Sequence, residues 1–107
     1  SNPAEYAFLI AEDERGDALG FQAIGPRKTL PPEACDIATF TRSGKAQLGI
    51  GSALFSATEK KAKALGYRWI NATILNQNTG GQAYYQSRGF EPYKHTSERV
   101  FMRFPLH

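Results

Sequence analysis

The feature that constrains this chain most is a glycine-bracketed corner, Gln47-Leu48-Gly49-Ile50-Gly51-Ser52, which separates a strand-like run from a long amphipathic segment. Glycine accepts positive φ and lets a ligand approach the backbone closely. The first amides of a helix have no internal partners, and the helix dipole adds positive potential there. We therefore predict an anion site at this corner, best suited to phosphate. A plain strand-to-helix turn is the alternative that this stretch leaves open.

Composition restricts the class of protein. The 107 residues correspond to one domain, 1–107, and 41% hydrophobic content is typical of a globular chain. The 13 basic and 10 acidic residues are mixed along the chain, which argues against a nucleic-acid partner. No segment has the length of a membrane span, so we expect no membrane partner and a cytoplasmic location. The single cysteine, Cys35, is expected to be a buried structural thiol, and no metal site is expected.

Hydrophobic periodicity and turn residues predict eight elements in one order. Strands are expected at 6–11, 18–24, 34–41, 67–75, 90–95 and 100–104, and helices at 50–65 and 80–88. A bulge is expected at Gly20. A helix that is followed directly by a strand favours a parallel crossover around the glycine corner.

Two details of the helices are predicted more closely. In the long helix, Thr58 should lie outside an apolar face shared by Ile50, Ala53, Leu54, Ala57, Ala64 and Leu65. In the short helix, Thr79 and Gln82 have the spacing of a capping box.

Two separated motifs resemble the signatures of the GNAT superfamily of acyl-CoA-dependent N-acetyltransferases. The first signature, Arg/Gln-x-x-Gly-x-Gly/Ala at the start of the long helix, corresponds here to residues 46–51. The second corresponds to Asn78, Gly81 and Tyr85, followed by Gly89-Phe90. The resemblance covers about residues 5–104, and its main local departure is Ala46 in the arginine or glutamine position.

The resemblance implies an α/β (α+β) fold. Its mixed, mostly antiparallel sheet should contain a central splayed pair of parallel strands, with one long and one short helix. The strand and helices that family members usually carry ahead of the first hairpin are expected to be missing. Another part of the polypeptide, or a second subunit in a homodimer, would then complete the acceptor site.

The resemblance also implies roles for individual residues. Acetyl-CoA would place its diphosphate on the amides of residues 47–52 and its pantetheine arm beside the end of the third strand. Tyr85 would donate to the leaving sulfur, the amide of Thr41 would polarise the thioester carbonyl, Asn78 would bond to pantetheine, and Gly81 would leave room for it. Tyr84 is expected to pack, and Asn71 and Asn76 to shape strand ends. The cofactor-binding set is therefore Thr39, Phe40, Thr41, Gln47, Leu48, Gly49, Ile50, Gly51, Ser52, Asn78, Gly81 and Tyr85.

The expected activity is transfer of an acetyl group from acetyl-CoA to a primary amine by direct attack, without a metal or a covalent enzyme intermediate. The acceptor would be a small molecule or a peptide. Glu33 and Asp36 are candidates for the general base, as are water and a residue outside this chain. Two alternatives stay open: an acyl-CoA sensor of the same fold without turnover, and a basic nucleic-acid-binding domain.

Overall fold

The computed structural model of the protein describes residues 6–41 and 50–106. All eight expected elements are present in these ranges, with ends that differ from the expected ones by two residues at most. They are β1 (Ala7–Glu12), β2 (Ala18–Gly25), β3 (Ala34–Thr41), α1 (Ile50–Ala64), β4 (Trp69–Leu75), α2 (Thr79–Ser87), β5 (Glu91–His95) and β6 (Arg99–Pro105).

The described strands form one six-stranded sheet in the order β1-β2-β3-β4-β6-β5. Among them β3 and β4 run parallel, and the other neighbours are antiparallel. The β3–β4 pairing runs from Ala34 opposite Trp69 to Asp36 opposite Asn71 and then stops. From Ile37 onward, β3 remains paired with β2 only, so the sheet opens between its two central strands. The predicted mixed sheet with a splayed parallel pair is confirmed.

The first hairpin is organised by its turn residues. The Asp13 carboxylate accepts hydrogen bonds from the amides of Arg15 and Asp17, each at 2.9 Å. Gly16 has φ of +88°, a conformation that other residues rarely adopt. The register shifts between Ala11 and Glu12, directly opposite Gly20, so the bulge lies beside the predicted position.

One face of the sheet, here called the helix face, is covered by α1 and α2. The residues of α1 that are buried against it are Ile50, Leu54, Phe55, Thr58 and Ala62. The expected apolar face was therefore partly wrong, because Ala53, Ala57 and Ala64 are exposed and Thr58 is fully buried. The buried stripe follows every fourth residue from Ile50. Thr58 can lie in that stripe because its hydroxyl donates to the buried Gln22 side chain at 2.6 Å.

The start of α2 also differs from the expected capping box. Asn78, not Thr79, is the N-cap, and its side-chain oxygen accepts from the amide of Gly81 at 2.9 Å. The Gln82 side chain instead donates to the main-chain oxygens of Leu75 and Asn76, at 3.1 and 3.0 Å. Asparagine caps a helix as well as threonine does, and here it precedes the first helical turn by one residue.

The opposite face, here called the open face, carries no helix among the described residues. Alternation along β3 places Cys35, Ile37 and Thr39 on the helix face and Asp36, Ala38 and Phe40 on the open face. Phe40 is 61% exposed and stacks on Phe21, with ring centroids 5.5 Å apart. In residues 6–41 and 50–106, no helix has both the length and the apolar character needed to cross a membrane.

Candidate active site

The site lies where the sheet opens between β3 and β4. A cavity of 990 Å³ reaches from the start of α1 across this opening to α2, which is the volume of a large ligand pocket. Thr39 and Thr41 line it from the helix face, and Asp36 and Ala38 line it from the open face. The opening therefore connects the two faces of the sheet, so that groups approaching from opposite sides can meet inside it.

Tyr85 lies over the opening on the helix face. Its hydroxyl is 2.7 Å from Oγ1 of Thr39, which belongs to the part of β3 that has left β4. The Tyr85 ring packs edge-on against Phe90, with centroids 5.0 Å apart, and the side chain is buried. Burial raises the pKa of Tyr85 to about 12. The phenol is therefore protonated at neutral pH and can act as a hydrogen-bond donor.

A buried hydrogen-bond network fixes the surroundings of Tyr85. The hydroxyl of Tyr84 donates to the main-chain oxygen of Gly51 at 2.8 Å, since a carbonyl can only accept. Its oxygen then accepts from Nε2 of Gln22 at 2.8 Å, which determines the orientation of that amide. Gln22 also donates to Thr39 at 3.2 Å and accepts from Thr58.

This network was largely missed by sequence reasoning. Tyr84 was expected only to pack, but its hydroxyl joins α2 to the first turn of α1 through Gly51. Gln22 was not singled out, although a signal was present. It alternates with apolar residues in β2 and shares a face with Ile24, so a buried amide with several partners could have been inferred from the pattern.

The first turn of α1 opens into the same cavity. Gly51 and Ser52 line it, whereas Ile50 is buried in the core. Arg88, at the end of α2, donates to Oγ of Ser52 at 2.6 Å, which brings a guanidinium to the positive end of the α1 dipole. Arg88 is a candidate anion-binding residue that the sequence motifs did not reveal. The predicted residues Gln47, Leu48 and Gly49 lie outside the described residues.

The remaining predicted cofactor-binding residues have mixed positions. Thr41, Asn78 and Gly81 line the cavity. Phe40 does not line the cavity, and its side chain points to the open face. A Cβ on Gly81 would lie 2.7 Å from Nδ2 of Asn78, so the glycine makes room for the capping asparagine. The roles of these residues in cofactor binding stay predictions.

On the open face, Asp36 lies at the point where β3 and β4 separate. One of its oxygens accepts from Arg27 and the other from Nδ2 of Asn71, both at 2.8 Å. Asn71 is buried, donates to Thr73 at 3.0 Å and accepts from the hydroxyl of Tyr93. Asn71 was expected only to shape a strand end, which was wrong, because its amide links Asp36 to the neighbouring aromatic side chains.

The two candidate bases have different surroundings. Among the described residues that line the cavity, Asp36 is the one carboxylate. Glu33 is exposed before β3 and does not line the cavity, and its main-chain oxygen accepts from the amide of Arg68. Geometry therefore favours Asp36 over Glu33 as the acidic group next to the reacting atoms.

A mixed sheet that opens between two parallel strands, with a phenol over the opening and a helix start beside it, is the architecture of the GNAT type. Comparison with family models agrees with the geometry: residues 1–90 match the model of the Acetyltransferase (GNAT) family. The chain belongs to this family. Comparison with the curated proteins gave no significant match.

Solved structures with the same fold include several acetyltransferases. A ribosomal-protein-alanine N-acetyltransferase from Brucella melitensis superposes with a TM-score of 0.82 at 22% identity, over 94% of this chain and 69% of that one. A phosphinothricin acetyltransferase from Sinorhizobium meliloti, solved with acetyl-CoA, gives 0.79 at 26% identity, over 94% and 61%. A GCN5-related N-acetyltransferase from Kribbella flavida gives 0.83 at 23% identity, over 99% and 70%. The chain thus spans between 61% and 70% of these proteins' lengths.

Proposed function

We propose that this protein is an N-acetyltransferase that moves an acetyl group from acetyl-CoA to a primary amine by direct attack in a ternary complex. The observation that carries the proposal is the position of Tyr85 and Asp36. Both line one cavity, Tyr85 from the helix face and Asp36 from the open face, and the opening between β3 and β4 joins the two sides. A thioester and an amine entering from opposite faces would meet there.

The helix face supplies the features that acetyl-CoA binding requires. The first amides of α1 have no acceptor inside the helix and can bind the diphosphate, and the Arg88 guanidinium beside Ser52 adds a positive charge. Among the described residues, the main-chain groups from Ile37 to Thr41 have no strand partner on the β4 side, and a pantetheine arm can pair along them as an added strand. The Thr41 amide is our candidate for polarising the thioester carbonyl. The Sinorhizobium meliloti relative, solved with acetyl-CoA, supports this choice of cofactor.

The open face supplies the acceptor side. The Asp36 carboxylate attracts the ammonium form of the amine and takes its proton, directly or through water. The neutral nitrogen then attacks the thioester carbonyl carbon and a new C–N bond forms. The C–S bond breaks with its electron pair on sulfur, the nitrogen gives its remaining excess proton to water, and the released thiolate is protonated from water to the free thiol. The expected acceptor is a small-molecule or peptide amine. The absence of nucleic-acid and membrane partners, the cytoplasmic location and the homodimer stay predictions.

Tyr85 stabilises the departing sulfur chiefly as a hydrogen-bond donor. The gap between its pKa of about 12 and a thiol pKa near 8.5 makes full proton transfer uphill by about 5 kcal/mol. A hydrogen bond to a charged acceptor contributes about 1.5–3 kcal/mol without that transfer. The Tyr85 hydroxyl proton is free to bond to the sulfur if the Thr39 hydroxyl donates to the Tyr85 oxygen and does not accept from it. Gln22 favours this arrangement, because it already donates to Thr39 and leaves the threonine's own proton free.

The test is Tyr85→Phe, with Tyr6→Phe as the matched control, since Tyr6 is 66% exposed and is not one of the residues of the hydrogen-bond network. Losing a charge-assisted hydrogen bond should lower kcat roughly 10- to 100-fold while the KM for acetyl-CoA changes less than about threefold. Thiol release and acetylated amine are both measured, the latter by mass spectrometry. Equal losses in kcat and in acetyl-CoA affinity would contradict the role at sulfur. Acetyl-CoA binding without thiol release for any amine would favour the sensor alternative.

A further inference from the structure

The carboxylate that should receive the acceptor amine is already paired with a cation of this chain. Nη1 of Arg27 lies 2.8 Å from Oδ2 of Asp36. A charged donor nitrogen and a carboxylate oxygen usually lie about 2.7–2.9 Å apart, so the ammonium of a bound amine would adopt the same distance. Arg27 and Asp36 both line the cavity where the sheet opens. The guanidinium therefore occupies a position that the acceptor nitrogen can use.

The two oxygens of Asp36 are held in different ways. Oδ1 accepts from Nδ2 of Asn71 at 2.8 Å, and Asn71 is 1% exposed. The Tyr93 hydroxyl donates to the oxygen of the same amide, so the amide nitrogen faces Asp36 and Thr73. Asn71 is thus buried and bonded at both ends, and it fixes Oδ1. Oδ2, by contrast, is held by an Arg27 side chain that is 55% exposed.

Arg27 can leave Asp36 without a movement of the main chain. Gly25, at the end of β2, is directly opposite Asp36, so Arg27 lies two residues beyond the paired strands. Its main-chain oxygen accepts from the amide of Leu30 at 3.0 Å, which closes a turn in the loop between β2 and β3. Among the described residues, Asp36 is the one acceptor for its guanidinium. Rotation of one exposed side chain therefore frees Oδ2, and such rotations take on the order of nanoseconds.

The strength of this ion pair suits an exchange of partners. Exposed ion pairs change an equilibrium by about fivefold or less, because water and salt screen the charges and two side chains lose rotamer freedom. An amine that binds to Asp36 must replace this contact, so its apparent affinity falls by no more than about that factor. The carboxylate is thus ordered before the acceptor arrives, and it remains available to the acceptor.

We propose that Arg27 is a placeholder for the ammonium group of the acceptor. In the free protein its guanidinium occupies Oδ2 of Asp36, and the incoming amine displaces it while Asn71 keeps Oδ1 in place. The proposal rests on the proposed function, because it takes Asp36 as the group that receives the amine. Arg27 then sets the affinity for the acceptor and takes no part in the transfer of the acetyl group.

The test is Arg27→Met, which removes the guanidinium and keeps an unbranched stem. Benzylamine is the probe acceptor, and initial rates are measured at low and at high salt. Without the competing cation, the KM for benzylamine should fall about three- to fivefold at low salt, while kcat and the KM for acetyl-CoA stay unchanged. The difference should shrink at high salt, because an unpaired carboxylate attracts the amine more strongly than an ion pair does and salt screens that attraction.

Lys28→Met is the matched control, since Lys28 is an exposed cation of the same loop that does not line the cavity. It should change the KM for benzylamine by less than about twofold. A KM that rises in Arg27→Met, or a kcat that falls, would overturn the placeholder, because Arg27 would then bind the acceptor or maintain the shape of the site. An equal fall of the KM in Lys28→Met would overturn it too, since the effect would come from the overall charge.

A binding measurement separates failure of this proposal from failure of the proposed function. The side-chain amide of Asn71 reports on Asp36 in heteronuclear NMR spectra, because its Nδ2 donates to Oδ1. In protein saturated with CoA, benzylamine should shift this signal with a Kd about three- to fivefold lower in Arg27→Met than in the wild type. Benzyl alcohol, which has no charge, should not shift it. The side-chain amide of Asn76, which donates to the main-chain oxygens of Thr96 and Ser97, is the internal control.

The outcomes of the two experiments differ for the two proposals. Tighter binding of benzylamine to Arg27→Met without acetyl transfer to any amine would support the placeholder and overturn the transfer activity. Acetyl transfer with equal binding to both proteins would overturn the placeholder and support the transfer activity. Absence of any shift of the Asn71 signal would overturn the placeholder as well, because the amine would then not bind at Asp36.

Discussion

Replacing Gln22 with methionine isolates the network that positions Tyr85. Gln22 is fully buried, and its amide takes part in hydrogen bonds with Thr39, Tyr84 and Thr58. Methionine has nearly the same shape and fits an apolar site, but it can neither donate nor accept as the amide does. The Thr58 hydroxyl, which is also fully buried, would lose its side-chain partner among the described residues.

The expected loss of stability follows from these contacts. Tyr84 keeps its bond to Gly51, and Thr39 keeps its contact with Tyr85, so their losses are the modest ones of about 0.5–1.5 kcal/mol each. An unsatisfied buried hydroxyl at Thr58 costs a further 1–3 kcal/mol or so. We expect Gln22→Met to lower the free energy of unfolding by about 2–4 kcal/mol, because the added apolar contact offsets part of the loss. Urea denaturation followed by circular dichroism measures this difference.

The effect on catalysis should differ from the effect on stability. Without the Gln22 donor, the Thr39 hydroxyl no longer favours donating to the Tyr85 oxygen over accepting from it. Losing about 1 kcal/mol of that difference in free energy lowers kcat about fivefold. The double variant Gln22→Met/Thr58→Val removes the unsatisfied hydroxyl as well, so it should recover about 1–2 kcal/mol of stability but none of the kcat. A kcat of Gln22→Met within twofold of the wild type would show that Gln22 does not orient the Thr39 proton. Recovery of kcat together with stability in the double variant would show that the loss of kcat came from the loss of stability.

Further predictions concern the charge of Arg88 and the buried groups Cys35 and Tyr85. Arg88→Gln should weaken acetyl-CoA binding about tenfold, measured by calorimetry, and the difference should shrink with added salt, since it removes a charge near the proposed diphosphate position. Stability should also fall at alkaline pH. Burial raises the pKa of Cys35 from 9.0 to about 12 and that of Tyr85 from 10.0 to about 12. Between pH 9 and about 12 for Cys35, and between pH 10 and about 12 for Tyr85, the group loses its proton in the unfolded chain but keeps it in the folded chain. Each group therefore lowers the free energy of unfolding by about 1.4 kcal/mol per pH unit within its range. Cys35→Ala should flatten the decline measured by urea denaturation between pH 9 and pH 12.

Each of these predictions has a clear contrary result. Lys60→Gln removes an exposed charge on α1 and serves as the control. If it weakened acetyl-CoA binding as much as Arg88→Gln does, the loss would reflect the overall charge and not a contact of Arg88. A decline of stability that begins well below pH 9, or that is unchanged in Cys35→Ala, would show that the buried thiol does not set the alkaline limit. Cys35 should also resist a thiol reagent at pH 8 until the protein is unfolded, because it is completely buried.

The elements of this fold could be predicted because each has a local physical cause. The β3 strand, Ala34–Thr41, was predicted with its observed limits, since prolines precede it and a polar loop follows it in the sequence. Gly66, with φ of +94°, ends the long helix region as expected, and Gly89, with φ of +106°, follows the short one. Such positions require a glycine whatever the rest of the chain does.

What the sequence did not predict depends on partners distant along the chain. Thr58 resembles a surface residue until Gln22, 36 positions away, supplies its acceptor. Asn71 resembles a strand-end residue until Asp36 and Tyr93 are placed on either side of it. Periodicity reports the direction in which a side chain points, but it cannot report whether a polar group will find a partner there. The candidate catalytic Tyr85 was found only because a motif resemblance singled it out.

The adjacent tyrosines of α2 show why the two halves of the proposed site should respond together. Tyr84 reaches the main chain of Gly51 in the first turn of α1, whereas Tyr85 reaches Thr39 on β3, and Gln22 donates to both Tyr84 and Thr39. A Cβ at Gly51 would lie 2.7 Å from the Tyr84 ring, so this close approach depends on glycine. The proposed diphosphate site and the proposed donor to sulfur are thus held by the same few hydrogen bonds. Gly51, the second glycine of the predicted corner, lies inside α1, and its lack of a side chain allows the position of Tyr84.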